Sequence, residues 1–152
     1  MRKADRKGWI IPAALLLLSS LASAAWAQPA QPKANKDPNL REVSMVRQDQ
    51  SDCQNSNVSD RDPNVIGGTA YVVRNSDGTT SVKVGITAKP STVYHFFLKC
   101  VRILGDITTF DEGEGTALFS FRTNEVGNVF AFDMYPEGAP PGNKYQSVQV
   151  KY

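Results

Sequence analysis

The sequence predicts an all-β domain: a single small antiparallel β-sandwich of about seven strands. Three observations lead there. Residues 79–87, Thr-Thr-Ser-Val-Lys-Val-Gly-Ile-Thr, put Val82, Val84 and Ile86 on one face, the period-two pattern of a strand buried on one side. From Val65 onward, turn residues recur about every 8–12 positions, the spacing of short strands in a sandwich. No run longer than one turn carries helical spacing. One-faced alternation suits two sheets that each hide one side against the other. A closed barrel meets the same count and alternation and stands as the alternative.

Each element follows from its residues. Residues 1–27 have the three-part layout of a secretory signal peptide. Met1 to Lys7 is basic, Gly8 to Leu21 is uncharged and apolar, and Ala22 to Ala27 supplies small residues in A-x-A spacing. Cleavage is expected after Ala27, with Ala24 as the second site. The dense run Trp9–Leu21 is shorter than the roughly 20 apolar residues that a span requires. An uncleaved N-terminal anchor is the remaining alternative. The expected address is export, to the periplasm or beyond, with no membrane span after cleavage.

Residues 28–64 form a polar segment rich in Gln, Asn, Asp, Ser and Pro, with too little apolar surface to offset its chain entropy. It is expected to be partly disordered. Leu40, Val43, Met45 and Val46 within it fit either a short strand or a helical turn. The domain proper is expected over 65–152. Gly68–Arg74 reads as a strand joined to 79–87 by Asn75-Ser76-Asp77-Gly78, where Asp-Gly supplies the positive φ of a tight hairpin. Val93–Ile103 reads as the longest strand, with Tyr94, Phe96, Leu98 and Cys100 on one face and His95, Phe97, Lys99 and Val101 on the other. Asp106–Phe110 is a short strand. Thr116–Arg122 turns Ala117, Phe119 and Phe121 inward, and Val129–Tyr135 buries Phe130, Phe132 and Met134. Tyr145–Tyr152 closes the domain with Val148, Val150 and Tyr152 inward.

Val84 to Tyr94 is similar to the strand–Pro–x–Thr–x–Tyr corner of fibronectin type III and related immunoglobulin-like modules. The resemblance covers about a dozen residues and implies that the Tyr94 hydroxyl bonds back to the crossover backbone and pins the two sheets. It departs in position, because the family's corner lies late in the domain and four strand-like runs follow it here. With Leu104-Gly105, Thr108-Thr109 and Gly113-x-Gly115, the whole resembles a small exported bacterial β-sandwich. Fold likeness of this kind supplies no chemistry.

Charge narrows the partners. Four basic residues against Asp5 give residues 1–27 a net +3, against +2 for the whole chain, so the remainder carries −1. Lys and Arg there stand singly among Asp and Glu. A nucleic-acid partner, which wants clustered positive charge, is not expected.

Cys53 and Cys100 are the two cysteines. In an oxidising compartment they are expected to pair, stapling the polar segment to the longest strand. A free buried Cys100 and an exposed Cys53 are the alternative. Structural zinc wants four Cys or His ligands, and the chain holds two Cys and one His, so no metal or other cofactor is expected. His95, the single histidine, is the obvious general base. It needs a nucleophile and an orienting group in space, and its sequence neighbours supply neither. Asp111-Glu112-Gly113-Glu114-Gly115 lacks the spaced ladder of a calcium loop and reads as a turn. Residues 136–143, framed by Tyr135 and Tyr145, form a long Pro-rich connection that is the best candidate for a binding edge. Asn57-Val58-Ser59 fits a glycosylation acceptor, a short pattern common by chance.

Function is therefore expected to be non-catalytic: an exported module binding a protein, an envelope component or a small ligand, with His95, Phe97, Tyr135 and Tyr145 as the candidate surface. The alternative is a small metal-dependent or hydrolytic enzyme using His95 with a carboxylate such as Asp133 or Asp111. A third is an assembly accessory lending a sheet edge to a partner strand.

Overall fold

The computed structural model describes residues 37–50, 52–139 and 144–152. The expected signal peptide, and residues 28–36 of the polar segment, lie outside these. Ten strands run through the described residues: β1 (Leu40–Arg47), β2 (Ile66–Arg74), β3 (Thr79–Thr87), β4 (Val93–Leu98), β5 (Arg102–Thr108), β6 (Glu114–Arg122), β7 (Val129–Phe130), β8 (Phe132–Tyr135), β9 (Tyr145–Ser147) and β10 (Val150–Lys151). Short 3₁₀ turns at Pro63–Val65 and Thr123–Glu125 are the helical elements among them.

The fold is all-β, as the alternation predicts, but its layout differs from seven strands in two matched sheets. Eight strands form one antiparallel sheet in the order β5-β4-β8-β9-β1-β2-β3-β6, and β10 and β7 form a separate pair. The sheet curls until its first and last strands, β5 and β6, lie side by side. Phe119 of β6 covers Gly105 of β5, where a Cβ would fall 2.8 Å from the ring. The result is nearly a barrel. Alternation cannot separate the two layouts, because both need one apolar face per strand.

The extra strands come from breaks that carry no Gly or Pro. Val93–Ile103 is not one strand but the β4–β5 hairpin. Val101 N–H donates to Leu98 O at 3.0 Å, and Cys100 takes φ +60°. The three-residue loop 99–101, with its middle residue in the left-handed region, closes the hairpin. Cys100 thereby leaves the core face for solvent, and Lys99 turns inward to 8% exposure. Asp106 becomes part of β5. Val129–Tyr135 is divided at Ala131, and Tyr145–Tyr152 between Ser147 and Val150.

The structured domain also begins before Val65. β1 is an interior strand, paired with β2 along Leu40–Val46 and with β9 at Met45–Arg47. A register shift at Met45/Val46 lets these two consecutive residues both be fully buried, Met45 in the core cluster. A bulge of this kind re-aims consecutive side chains to opposite uses.

Inward residues of each strand make the core: Met45, Ala70, Val72, Val82, Val84, Ile86, Tyr94, Phe96, Leu98, Ile107, Phe121, Phe130, Phe132, Met134, Tyr145 and Val150. The inward faces of residues 79–87, 116–122 and 129–135 are as the alternation predicts, and so are Val148, Val150 and Tyr152; Tyr145, expected on the binding surface, also turns inward. An aromatic layer spans the interior. Phe96 stacks on Phe119 and on Phe132 at 5.1 Å each, and Phe121 and Phe130 meet Phe132 edge-on. Stacked and edge-on pairs add about 0.5–1.5 kcal/mol each beyond their buried area. The layer links β6 to β4 and β8 across the line where no ladder joins β5 to β6.

Candidate functional site

Polar chemistry gathers on the outer face of β4 and β8. Directly opposed residues point the same way, so register assigns the face. Phe97 faces Asp133, which faces Gln146 of β9; His95 faces both Tyr135 and Asp106.

One half of this face is open. Phe97 and Tyr135 stack at 4.8 Å and 13°. His95 meets Phe97 edge-on at 6.4 Å, and Lys144 Nζ stands 5.2 Å from the Tyr135 centroid. Ile103, opposite Phe97, is 46% exposed. His95 Nδ1 is 2.7 Å from Asp106 Oδ1. With the proton on Nδ1, the carboxylate fixes the tautomer and leaves Nε2 as an acceptor toward solvent. Three of the four candidate binding residues thus converge. Tyr145 does not join them: it is 4% exposed, edge-on to Tyr94 in the core, and its hydroxyl accepts from Arg47 at 3.0 Å. That bond strengthens the Arg47 cation and raises its pKa.

The carboxylates proposed beside His95 are engaged elsewhere. Asp111 accepts from Ser91 Oγ at 2.9 Å. Asp133 sits with Lys99. Asp106, the actual partner, is found only once the turn at 99–101 is known, because it then falls opposite His95. Among the described residues, no group of three or more Cys, His, Asp or Glu is placed to hold a metal. Residues 140–143 of the Pro-rich connection lie outside the described residues; Tyr135 and Tyr145 at its ends face opposite sides of the sheet.

The other half of the face is roofed by residues 48–50 and 52–60. Cys53 and Cys100 form a disulfide, with Cα atoms 5.5 Å apart. Gln146 is buried and pairs with the Gln50 backbone in both directions: Gln50 N–H donates to Oε1 at 2.7 Å, and Nε2 donates to Gln50 O at 2.9 Å. Asn55, fully buried at φ +51°, donates through Nδ2 to Ser147 O at 2.9 Å and Phe132 O at 3.3 Å. Lys144 Nζ lies 3.4 Å from Asp49 Oδ1. Val58 is the apolar residue that this roof buries. At Asp49, Gln50 and Asn55 the polar residues that argue for disorder instead serve these bonds.

Beneath the roof, Lys99 Nζ donates to Gln50 O at 2.7 Å and to Asn55 Oδ1 at 2.5 Å, and stands 3.5 Å from Asp133 Oδ1. That Oδ1 is buried without a hydrogen bond. Burial pushes the Asp133 carboxyl above the usual carboxylate range, against the opposing pull of the Lys99 charge.

Two further features bear on partners. An open groove of about 610 Å³ near the β2–β3 turn is lined by Arg74, Arg122, Thr123 and Asn128 among others. Arg74 is held there by Asn128 Oδ1 and Gly127 O and lies over the Tyr152 ring. At the β3–β4 crossover, Lys89 N–H donates to the buried Tyr94 hydroxyl at 3.1 Å. This is the local contact that the tyrosine-corner resemblance implies. No helix among the described residues is long and apolar enough to cross a membrane. No protein-family model matches the chain, and no curated protein is significantly similar to it in sequence.

Proposed function

We propose that the chain is an exported, immunoglobulin-like binding module, non-catalytic, acting in the periplasm or cell envelope. The aromatic ridge of Phe97 and Tyr135 carries the reading. It stands on adjacent strands of the sheet, half-buried, beside exposed Ile103 and flanked by His95, Asp106 and Lys144. Aromatic anchors with polar neighbours are what binding surfaces enrich. The basic, apolar and small-residue succession of residues 1–27 supports export, as does the disulfide. The Tyr94–Lys89 bond supports the immunoglobulin-like kinship. The ligand is a protein, an envelope component or a small molecule presenting an apolar face with polar groups at its rim.

Affinity capture from the exported fraction tests this, comparing the native protein with Phe97→Ala and Tyr135→Ala. Both positions are on the outer face, so the domain stays folded by circular dichroism. A partner retained by the native protein and lost by both variants supports the reading. A partner retained by both variants, or none captured, counts against it.

A small hydrolytic enzyme is the second reading, and the His95–Asp106 pair favours it. Its test is hydrolysis of ester, amide and glycoside substrates by native protein against His95→Gln, where equal rates end the idea.

A further inference from the structure

We propose that Lys99 and Asn55 join covalently: the Lys99 amine attacks the Asn55 carboxamide, forming an intramolecular isopeptide bond and releasing ammonia. The site lies under the roof of residues 48–50 and 52–60, apart from the ridge of the proposed binding surface, and the inference does not depend on that reading.

Placement carries the argument. The amine is nearer the carboxamide oxygen, at 2.5 Å, than the carboxylate oxygen, at 3.5 Å. With a C=O bond of about 1.23 Å, Asn55 Cγ lies at most about 3.7 Å from Nζ, close to a near-attack distance. Both groups are out of water, Asn55 at 0% and Lys99 at 8% exposure. The roof fixes the carboxamide, since Nδ2 is held by the Phe132 and Ser147 carbonyls. Amines do not displace amide nitrogen in dilute solution, but enforced proximity supplies effective molarities of about 10⁵–10⁸ M.

A proton carrier is also present. Asp133 Oδ1 is buried, has no hydrogen bond and faces the amine. The step balances without any co-reactant. The Nζ lone pair forms the new C–N bond at Cγ. Asp133 accepts a proton from Nζ and returns one to Nδ2, the Cγ–Nδ2 bond breaks, and ammonia departs past the two carbonyls that held it. One amine and one primary amide become one secondary amide and ammonia. The raised carboxyl suits this exchange, because a proton carrier works best when its affinity approaches the operating pH.

The link has a structural consequence. Cys53–Cys100 and Asn55–Lys99 tie the same loop to the same hairpin, but only the first yields to reductant. The amide keeps the roof closed wherever thiols are present.

Peptide mass spectrometry of the purified full chain, reduced and alkylated before trypsin, is decisive. Tryptic residues 48–61 and 84–102 are expected as one branched species, lighter than their sum by one ammonia, with cleavage at Lys99 blocked. Lys99→Arg removes the nucleophile, and Asp133→Asn removes the proton carrier; each is expected to give separate peptides. Separate peptides from the native protein, with Asn55 intact and cleavage at Lys99, overturn the proposal, and this reading needs no variant to fold. Undiminished linkage in Asp133→Asn overturns the proton route.

Discussion

Replacing Phe96 with alanine tests what holds the curled sheet together. Phe96 has no exposed surface, and its ring stacks on Phe119 of β6 and Phe132 of β8 at 5.1 Å each. Phe→Ala in a well-packed core costs about 3–5 kcal/mol. Losing two aromatic stacks, each worth about 0.5–1.5 kcal/mol, puts this site in the upper half of that range, about 4–5 kcal/mol. For a domain of this size the melting temperature falls by roughly 15–20 °C. Urea titration followed by circular dichroism reads the loss as a lower midpoint with unchanged slope. Leu118→Ala on β6, with 75% of Leu118 exposed, is the control and should change stability by no more than about 0.5 kcal/mol. Should Phe96→Ala not fold, Phe96→Leu reports the same layer with a smaller loss, about 1–2 kcal/mol. A loss under about 2 kcal/mol for Phe96→Ala would refute the reasoning, because the site would then collapse without cost and β6 would be held some other way.

Other expectations follow from single contacts. Glu125 receives Arg102 at 2.7 Å and the Arg122 N–H, which hold its carboxyl down to about 2 from 4.5. A depressed carboxylate gives stability that is present above 4.5 and is lost as pH falls toward about 2; an NMR titration of Glu125 in native protein and Arg102→Met should show the pKa climbing in the variant, and a native value near 4.5 contradicts the pairing. Tyr94→Phe strips the Lys89 N–H of its acceptor and should cost about 0.5–1.5 kcal/mol by denaturant unfolding. In Lys99→Arg, where no amide link can form, reducing Cys53–Cys100 opens a 47-residue separation and should cost about 4 kcal/mol by thermal unfolding with and without reductant; equal stability would show that the roof adds nothing.

Legibility in the sequence followed local chemistry. β2 and β3 were plain because Asp77-Gly78 marks the turn and Val82, Val84 and Ile86 alternate without interruption. The inward faces of β6, β8 and β10 were plain for the same reason. The turn at Lys99-Cys100-Val101 was not, since it carries neither Gly nor Pro and Cys100 itself takes the left-handed conformation. Without that turn, alternation places Lys99 on the outer face beside His95 and Phe97, and the His95–Asp106 pair has no local signal. β1 was hidden by its polar setting: hydrogen bonds from Gln50, Asn55 and Gln146, rather than apolar area, order the segment after it. Tyr145 looked like a loop-edge aromatic because the Pro-rich run precedes it, and only its pairing with Met134 reveals the inward face. Closure of β5 on β6 depends on Phe119 meeting Gly105, a long-range fit with no local signal.

Hydroxyl-radical footprinting of the native domain, read residue by residue, probes the division between an apolar interior and a working exterior. Oxidation should be slow at Met45, Met134, Phe96 and Phe132, all without exposed surface, and fast at Phe110 and Leu118, with Phe97 and Tyr135 between. Methionine is intrinsically among the most readily oxidised side chains, so protection at Met45 and Met134 is a demanding outcome. Rapid oxidation of those two methionines alongside Phe110 would contradict the account.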